Sequence, residues 1–237
     1  QTATADLIIY KPLLITPDPL TLKVGQSLSN ITITGGIKNP TGQPPYTLTL
    51  DTTEFGNISG TNPYTFTATN KSGVAKLTIT DNPEFAASNV TKDITVLADL
   101  PKSLQLTGVD AMKAGECQPY DITLIDQFGN IANANNKQYN FNLTASLVEA
   151  AGESVANNGA FFVDKACSLA GTTTFIDSVS TSRTVYFKAA RAGKIKLIAT
   201  HSNAAAIGVD LKTAEKQIQV NLESASRLVF LQSIPSQ

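Results

Sequence analysis

The chain has 237 residues, 42% of them hydrophobic, and carries 18 basic against 19 acidic side chains for a net charge of -1. That length suits two β-sandwiches of about 100 residues each, each with a core of its own. The charges are scattered, which leaves no electrostatic footprint for nucleic acid or anionic lipid, and no apolar run approaches the ~18 residues of a membrane span.

From the amino end, Gln1 to Asp6 is polar and lacks the basic start and apolar core of a leader, so any signal peptide is expected to lie outside this segment. Period-2 alternation then takes over. Ile31 and Ile33 alternate with Thr32 and Thr34. Tyr46, Leu48 and Leu50 alternate with Thr47 and Thr49. Tyr64, Phe66 and Ala68, then Ala75, Leu77 and Ile79, repeat the device. Each is a strand with one wet face. Turn chemistry separates them at Val24-Gly25-Gln26, Gly35-Gly36, Pro44-Pro45 and Lys71-Ser72-Gly73.

The second half continues the pattern with Tyr120, Ile122 and Leu124; Tyr139, Phe141 and Leu143; Val185, Phe187 and Ala189; Ile195, Leu197 and Ala199; and Ile218, Val220 and Leu222. Turns fall at Gln127-Phe128-Gly129-Asn130 and Ala192-Gly193-Lys194. Between strands there is no helical pattern of 10 to 15 residues, so antiparallel sandwiches are favoured over βαβ units. The one helix-like stretch, Ala145 to Glu153, reads as a loop decoration.

Composition marks a boundary, because 19 of the 29 threonines fall within the first 100 residues while both cysteines, Cys117 and Cys167, fall later. The expected organisation is one sandwich over 1–98, a short linker at Ala98 to Pro101, and a second sandwich over 102–225 with an insertion near 145–174. Ser226-Arg-Leu-Val-Phe-Leu231 reads like Lys102-Ser-Leu-Gln-Leu106, which predicts the start of a truncated following repeat over 226–237.

Tyr120-Asp-Ile-Thr-Leu-Ile-Asp-Gln-Phe-Gly-Asn130 resembles the strand-turn of bacterial immunoglobulin-like repeats of the invasin and intimin kind, and Ala192-Gly-Lys-Ile-Lys-Leu-Ile-Ala-Thr200 resembles their closing strand. Asn70-Lys-Ser-Gly-Val-Ala-Lys-Leu-Thr-Ile79, with Leu20-Thr-Leu-Lys-Val-Gly25 upstream, is similar to other repeats of this class. The resemblance implies an all-β chain of two tandem immunoglobulin-like antiparallel sandwiches, exported to the cell surface, doing adhesive or stalk work. Its implied partners are neighbouring repeats of the same chain and a host or prey-cell surface protein or glycan; nucleic acid and membrane insertion are not expected.

Candidate chemistry is sparse. Cys117 and Cys167, paired, would close a loop of about 50 residues and stabilise by roughly 4 kcal/mol; the alternative is two buried free thiols of a cytosolic protein. His201 stands just after a strand without the nucleophile context a general base needs, and reads as a turn histidine. Asp51 with Glu54, Asp81 with Glu84, and Asp121 with Asp126 lack the density of a calcium loop; Asp99, in the linker, is the acid placed where calcium bridges some tandem sandwiches. No catalytic residue, metal or cofactor is expected. The five Asn-x-Ser/Thr sites at Asn30, Asn57, Asn70, Asn89 and Asn142 compare with about 3.3 expected by chance from 17 asparagines and 46 serines plus threonines. For a rival carbohydrate- or protein-binding module there is no Trp, and alternation turns Tyr46, Tyr64, Tyr120 and Tyr139 inward. Tyr186, with one of Phe161 or Phe162, faces solvent as a candidate ligand contact, and the insertion around Asn157 to Lys165 is the first place to look for a ligand.

The linker generates a test of shape. Four residues span at most about 13 to 14 Å, and Pro101 restricts Leu100 as well as itself. End-to-end sandwiches should show a radius of gyration clearly above the roughly 18 Å of a compact globule of this length. A small-angle scattering value near 18 Å for the monomer would mean side-by-side packing instead.

Overall fold

A computed structural model of the chain describes residues 11–36, 46–81, 89–148, 154–156 and 159–222, the side chains of 154–156 apart. The chain divides into two compact units: Gln1–Asp99 together with Asp126–Ile131, and Leu100–Ile125 together with Ala132–Gln237. The expected repeat start at Ser226 and the turn at Pro44-Pro45 lie outside the described residues.

The first unit holds strands β1 (Lys11–Thr16), β2 (Leu20–Lys23), β3 (Ser27–Gly36), β4 (Thr47–Leu50), β5 (Gly56–Gly60), β6 (Tyr64–Ala68), β7 (Gly73–Thr80) and β8 (Asn89–Leu97). They form two four-stranded sheets, in the orders β1-β3-β6-β5 and β2-β8-β7-β4. Burial follows the sequence period. Ile31, Ile33, Phe66 and Ala68 of one sheet meet Leu20, Leu22, Leu77, Ile79, Ile94 and Val96 of the other in a single core cluster. Between β1 and β2 the run Pro17-Asp18-Pro19 supplies two residues without an N–H, so the ladder to β3 cannot continue there. The chain leaves the first sheet, where β1 is antiparallel to β3, and enters the second, where β2 is parallel to β8.

The second unit repeats this order. Its strands are β9 (Ser103–Gly108), β10 (Ala111–Lys113), β11 (Cys117–Ile125), β12 (Tyr139–Val148), β13 (Ser154–Ala156), β14 (Gly159–Phe162), β15 (Thr173–Ile176), β16 (Ser182–Ala189), β17 (Gly193–His201) and β18 (Ala214–Asn221), with a one-turn helix α1 (Ala204–Ile207). The sheets run β9-β11-β16-β14 and β10-β18-β17-β12-β13, and β15 pairs the start of β12. Here the change of sheet falls after Gly108, which sits at φ +155° and whose absent Cβ would run into the Tyr120 ring. A larger residue at 108 would displace that buried ring. Both units therefore show the immunoglobulin arrangement, in which the opening stretch of chain is shared between two sheets that are antiparallel except where it meets the last strand.

Between β12 and β16 lie residues 149–181, 33 in number, against 13 between β4 and β6. The 20 extra residues provide β13, β15 and the loop between β14 and β15. The helix-like reading of Ala145–Glu153 is corrected for its first four residues: Ala145–Val148 complete β12, paired residue for residue with Lys194–Leu197 of β17, and strand pairing overrides a short local preference. Residues 149–153 lie outside the described residues. Leu222, read as the inward end of the last strand, lies beyond β18 and is 79% exposed.

Phe66 is fully buried within the core cluster that both sheets share. Phe66→Ala should destabilise the first unit by about 3–5 kcal/mol. In a urea titration one transition should move to lower denaturant while the other, belonging to the second unit, stays in place; equal movement of both would mean the units do not unfold independently.

Candidate binding surface

The outer face of sheet β9-β11-β16-β14 carries two of the aromatic side chains singled out from the sequence, Tyr186 and Phe162. Register places Phe162 opposite Tyr186 and Tyr186 opposite Pro119, so the three form one cross-strand row over β14, β16 and β11. Phe162 and Tyr186 are half-buried and Pro119 is exposed. The period of two sends Phe161 the other way: it is 4% exposed, opposite Phe187, with ring centroids 5.1 Å apart and planes tilted by 54°. Phe162 is thus the outward member of the pair. In the next outer row Ala160 faces Lys188 and Lys188 faces Cys117. Beyond Tyr186, the Thr184 hydroxyl donates to Asp121 at 2.6 Å.

Cys117 and Cys167 form a disulfide, with Cα atoms 6.0 Å apart. The bridge ties the loop after β14 to the start of β11. Asp164 organises that loop from within. One carboxylate oxygen accepts the N–H groups of Leu169 at 2.6 Å and Ser168 at 3.1 Å, and the other accepts the Ser168 hydroxyl at 2.8 Å. The Leu169 N–H, then the Ser168 hydroxyl, hold the Asp164 carboxyl below its ordinary value. The loop returns to its own strand through Val163 N–H to Leu169 O and Gly171 N–H to Phe161 O. Beside it lies a cavity of about 350 Å³ lined by Gly115, Gly159, Ala160, Phe162, Ala189 and Lys188, an apolar concavity with one ammonium group.

In the first unit a cavity of about 190 Å³ opens between the edge strands β4 and β5, lined by Tyr46, Leu48, Ile58 and Tyr64 among others. Of the tyrosines expected to face inward, Tyr120 and Tyr139 are fully buried, whereas Tyr46 and Tyr64 are only half-buried because they sit at this seam. The Tyr46 hydroxyl donates to Gly35 O at 2.7 Å. Burial, with Asp110 adding to it, pushes the Tyr120 phenol up to about 12, a value suited to a core side chain and not to proton transfer near neutrality.

His201 is not a turn residue. It ends β17, is 8% exposed, and lies against Tyr139 and Phe141. Its Nε2 meets Asn203 Oδ1 at 2.8 Å. Asn203 Oδ1 also accepts the Asn140 N–H, and its Nδ2 donates to Gln138 O, which fixes the amide and makes Nε2 the donor. Nδ1 is buried without a hydrogen-bond partner among the described residues.

The acids stand apart. Asp51 accepts the Lys76 N–H at 2.7 Å, Glu54 pairs with Lys71 at 2.7 Å, and Asp121 lies on the outer face while Asp126 is buried. Glu84 lies outside the described residues. The Asp99 carboxylate meets Gln127 Nε2 at 3.0 Å and the Lys23 ammonium at 3.6 Å. Among the described residues no three His, Cys, Asp or Glu side chains are grouped as metal ligands would be.

Sequence reasoning weighed Asp126 only as the partner of Asp121 and missed its role in the turn, whose signal was present in Asp-Gln-Phe-Gly-Asn. Its Oδ1 accepts the N–H groups of Phe128 at 2.8 Å and Asn130 at 2.9 Å, and its Oδ2 accepts the Asp99 N–H at 3.0 Å and Asn130 Nδ2 at 2.9 Å. Burial pushes this carboxyl up, but the Asn130 side chain and the three backbone N–H groups outweigh it and leave it below its ordinary value.

No family model matches the sequence, and no curated protein matches it. Among solved structures the chain is similar to the Yersinia pseudotuberculosis protein InvD, at 15% identity over 92% of this chain and 60% of that one, with a TM-score of 0.42. It is similar to the adhesin InvE of the same organism, at 13% identity over 88% and 58%, with a TM-score of 0.36. A β-glycosidase from Bacteroides vulgatus matches at 13% identity over 88% of this chain and 24% of that one, with a TM-score of 0.38. The chain thus spans less than two thirds of each of these three structures. None of them supplies a ligand or a reaction to it.

The folded Asp126 carboxyl titrates below its unfolded value of about 3.9, so the stability it contributes is complete above that value and is lost as pH falls through the folded one. The amide resonances of Asp99, Phe128 and Asn130 should hold steady from pH 7 to about pH 4 and move together only below it. Asp126→Ala leaves those donors unpaired and should cost about 1–3 kcal/mol. A common movement of the three amides already near pH 6 would contradict this account.

Proposed function

We propose that the chain is a non-enzymatic segment of a multidomain bacterial surface protein, an adhesin or fibre stalk whose sandwiches space or present a distal binding tip. The observation that carries this reading is repetition: one strand order occurs twice, and only residues 98–102 separate the closing strand of the first unit, β8, from the opening strand of the second, β9. A unit that takes up the chain at one edge strand and hands it on at another can be strung in series without new chemistry. The disulfide supports an exported setting, since such bridges persist in oxidising compartments. His201 and the acids described above are engaged in hydrogen bonds that hold strands and turns, which favours structure over catalysis.

A second reading, a binding module for sugar or protein, is favoured by one observation: the half-buried row Phe162–Tyr186–Pro119 beside an apolar cavity. Aromatic faces on a rigid sheet suit sugar rings or an extended peptide.

The two readings separate in a cell-surface assay. Replacing this segment in its parent protein by an unrelated pair of sandwiches of equal length should leave adhesion of the displaying cells unchanged. Loss of adhesion, reproduced by Tyr186→Ala in the otherwise unaltered protein, would overturn the stalk in favour of the module.

A further inference from the structure

Each unit pairs its early strand with its last strand in the same direction. In the first, β2 runs parallel to β8 from Leu20 opposite Ile94 to Lys23 opposite Leu97, and Val24 N–H donates to Leu97 O at 2.9 Å just beyond. In the second, β10 runs parallel to β18 from Ala111 opposite Gln219 to Lys113 opposite Asn221. Gln219 N–H donates to Asp110 O and Ala114 N–H to Asn221 O, both at 2.9 Å, at the two ends of that pair.

Tension on the chain reaches such a pair from opposite sides. It pulls the early strand backwards from its amino end and the last strand forwards from its carboxyl end. Because the strands point the same way, the pull slides them along their common axis, and the bonds between them bear load together. In a hairpin pulled at its two open ends, the bonds would instead break singly, in succession.

The disulfide divides the second unit along the same line. The ring closed by Cys117 and Cys167 contains β11 beyond Cys117, β12, β13 and β14, while β9, β10, β15, β16, β17 and β18 lie outside it. When the β10–β18 pair slides apart, the outside strands can unravel into extended chain. The ring cannot, and it retains Tyr120, Ile122, Leu124, Tyr139, Phe141, Leu143 and Phe161 of the core.

Building on the stalk reading, we propose that the parallel pairs are the load-bearing elements of the two units and that the Cys117–Cys167 bridge is an extension stop, limiting how far the second unit lengthens once its pair has yielded. The first unit, whose sequence holds no cysteine, has no such stop.

Pulling the whole chain by its two ends in optical tweezers, without reductant, tests both the pairs and the stop. The bridge joins residues 50 apart across 6.0 Å. The lengthening event of the second unit should therefore grow by roughly 160 to 175 Å in Cys117→Ser/Cys167→Ser, at 3.3–3.6 Å per residue less the bridge. The event of the first unit should not change. Should the double variant fail to fold, the unaltered protein pulled in dithiothreitol should show the same increment as a separate step after the second unit has yielded. Ala114→Pro, which removes one donor of the β10–β18 pair, should lower the rupture force of the short event alone. Equal increments with and without the bridge would overturn the extension stop, and an unchanged rupture force in Ala114→Pro would overturn the load-bearing pair. Either failure is distinguishable from failure of the stalk reading, which is decided by segment exchange on cells.

Discussion

A β-strand turns alternate side chains to opposite sides, and in each unit one side of every central strand must be buried against the facing sheet. That requirement is met by Ile31, Ile33, Phe66, Leu77, Ile79 and Ile94 in the first unit and by Tyr120, Ile122, Leu124, Phe187, Ile195 and Leu197 in the second, all of them almost wholly removed from water. A slip of one residue in any of these strands would exchange the buried set for threonines, lysines and asparagines. Register, sheet order and the direction in which surface residues point all follow from avoiding that exchange.

The same period explains what was legible. The strands of the core were readable because apolar and polar residues alternate without interruption, and the disulfide because two cysteines fall in one half of the chain. One edge strand was not: β5, Gly56–Gly60, has one half-buried apolar side chain, Ile58, and three small neighbours, too little pattern to register. Ala145–Val148 misled because four residues with partly buried side chains carry no period, and their pairing with β17 is a long-range fact. Of the candidate surface, parity identified Tyr186 and narrowed the phenylalanines to one of two. Which of them faces out depends on the register of β14 against β16, fixed by strands far apart in sequence.

Asparagines followed two residues later by Ser or Thr gain a physical explanation as well. At Asn30, Asn57, Asn89 and Asn142 the triplet is in a strand and the asparagine is exposed. Polar residues two apart are what an outward strand face requires, so these triplets arise from the fold whether or not anything reads them. Two of the buried polar side chains are of another kind. Asp81, eight residues after Gly73, and His201, eight after Gly193, stand at matching places, since Gly73 pairs with Val96 and Gly193 with Val220 in the closing strands. In the second unit the end of this strand is where the core gives way to hydrogen-bonded turn structure.

The insertion and the disulfide occur in the same unit, and magnitudes bear on whether one compensates for the other. Lengthening the connection from 13 to 33 residues adds only about 0.8 kcal/mol of loop-closure entropy. It also brings Ile176, on β15, into the core at 1% exposure, contributing roughly 1.5–3 kcal/mol of burial. The inserted strands therefore offset their closure cost without help, while a 50-residue ring is worth roughly 4 kcal/mol beyond that. The bridge exceeds what the insertion requires, and it spans from the start of β11 to the loop after β14, leaving the strands by which the chain enters and leaves the unit outside. A crosslink placed only to secure the insertion would suffice between β14 and β15. Under the extension-stop proposal, one that closes β11 to β14 into a ring, with β16, β17 and the terminal strands outside, keeps the ring's share of the core together when those strands are pulled away.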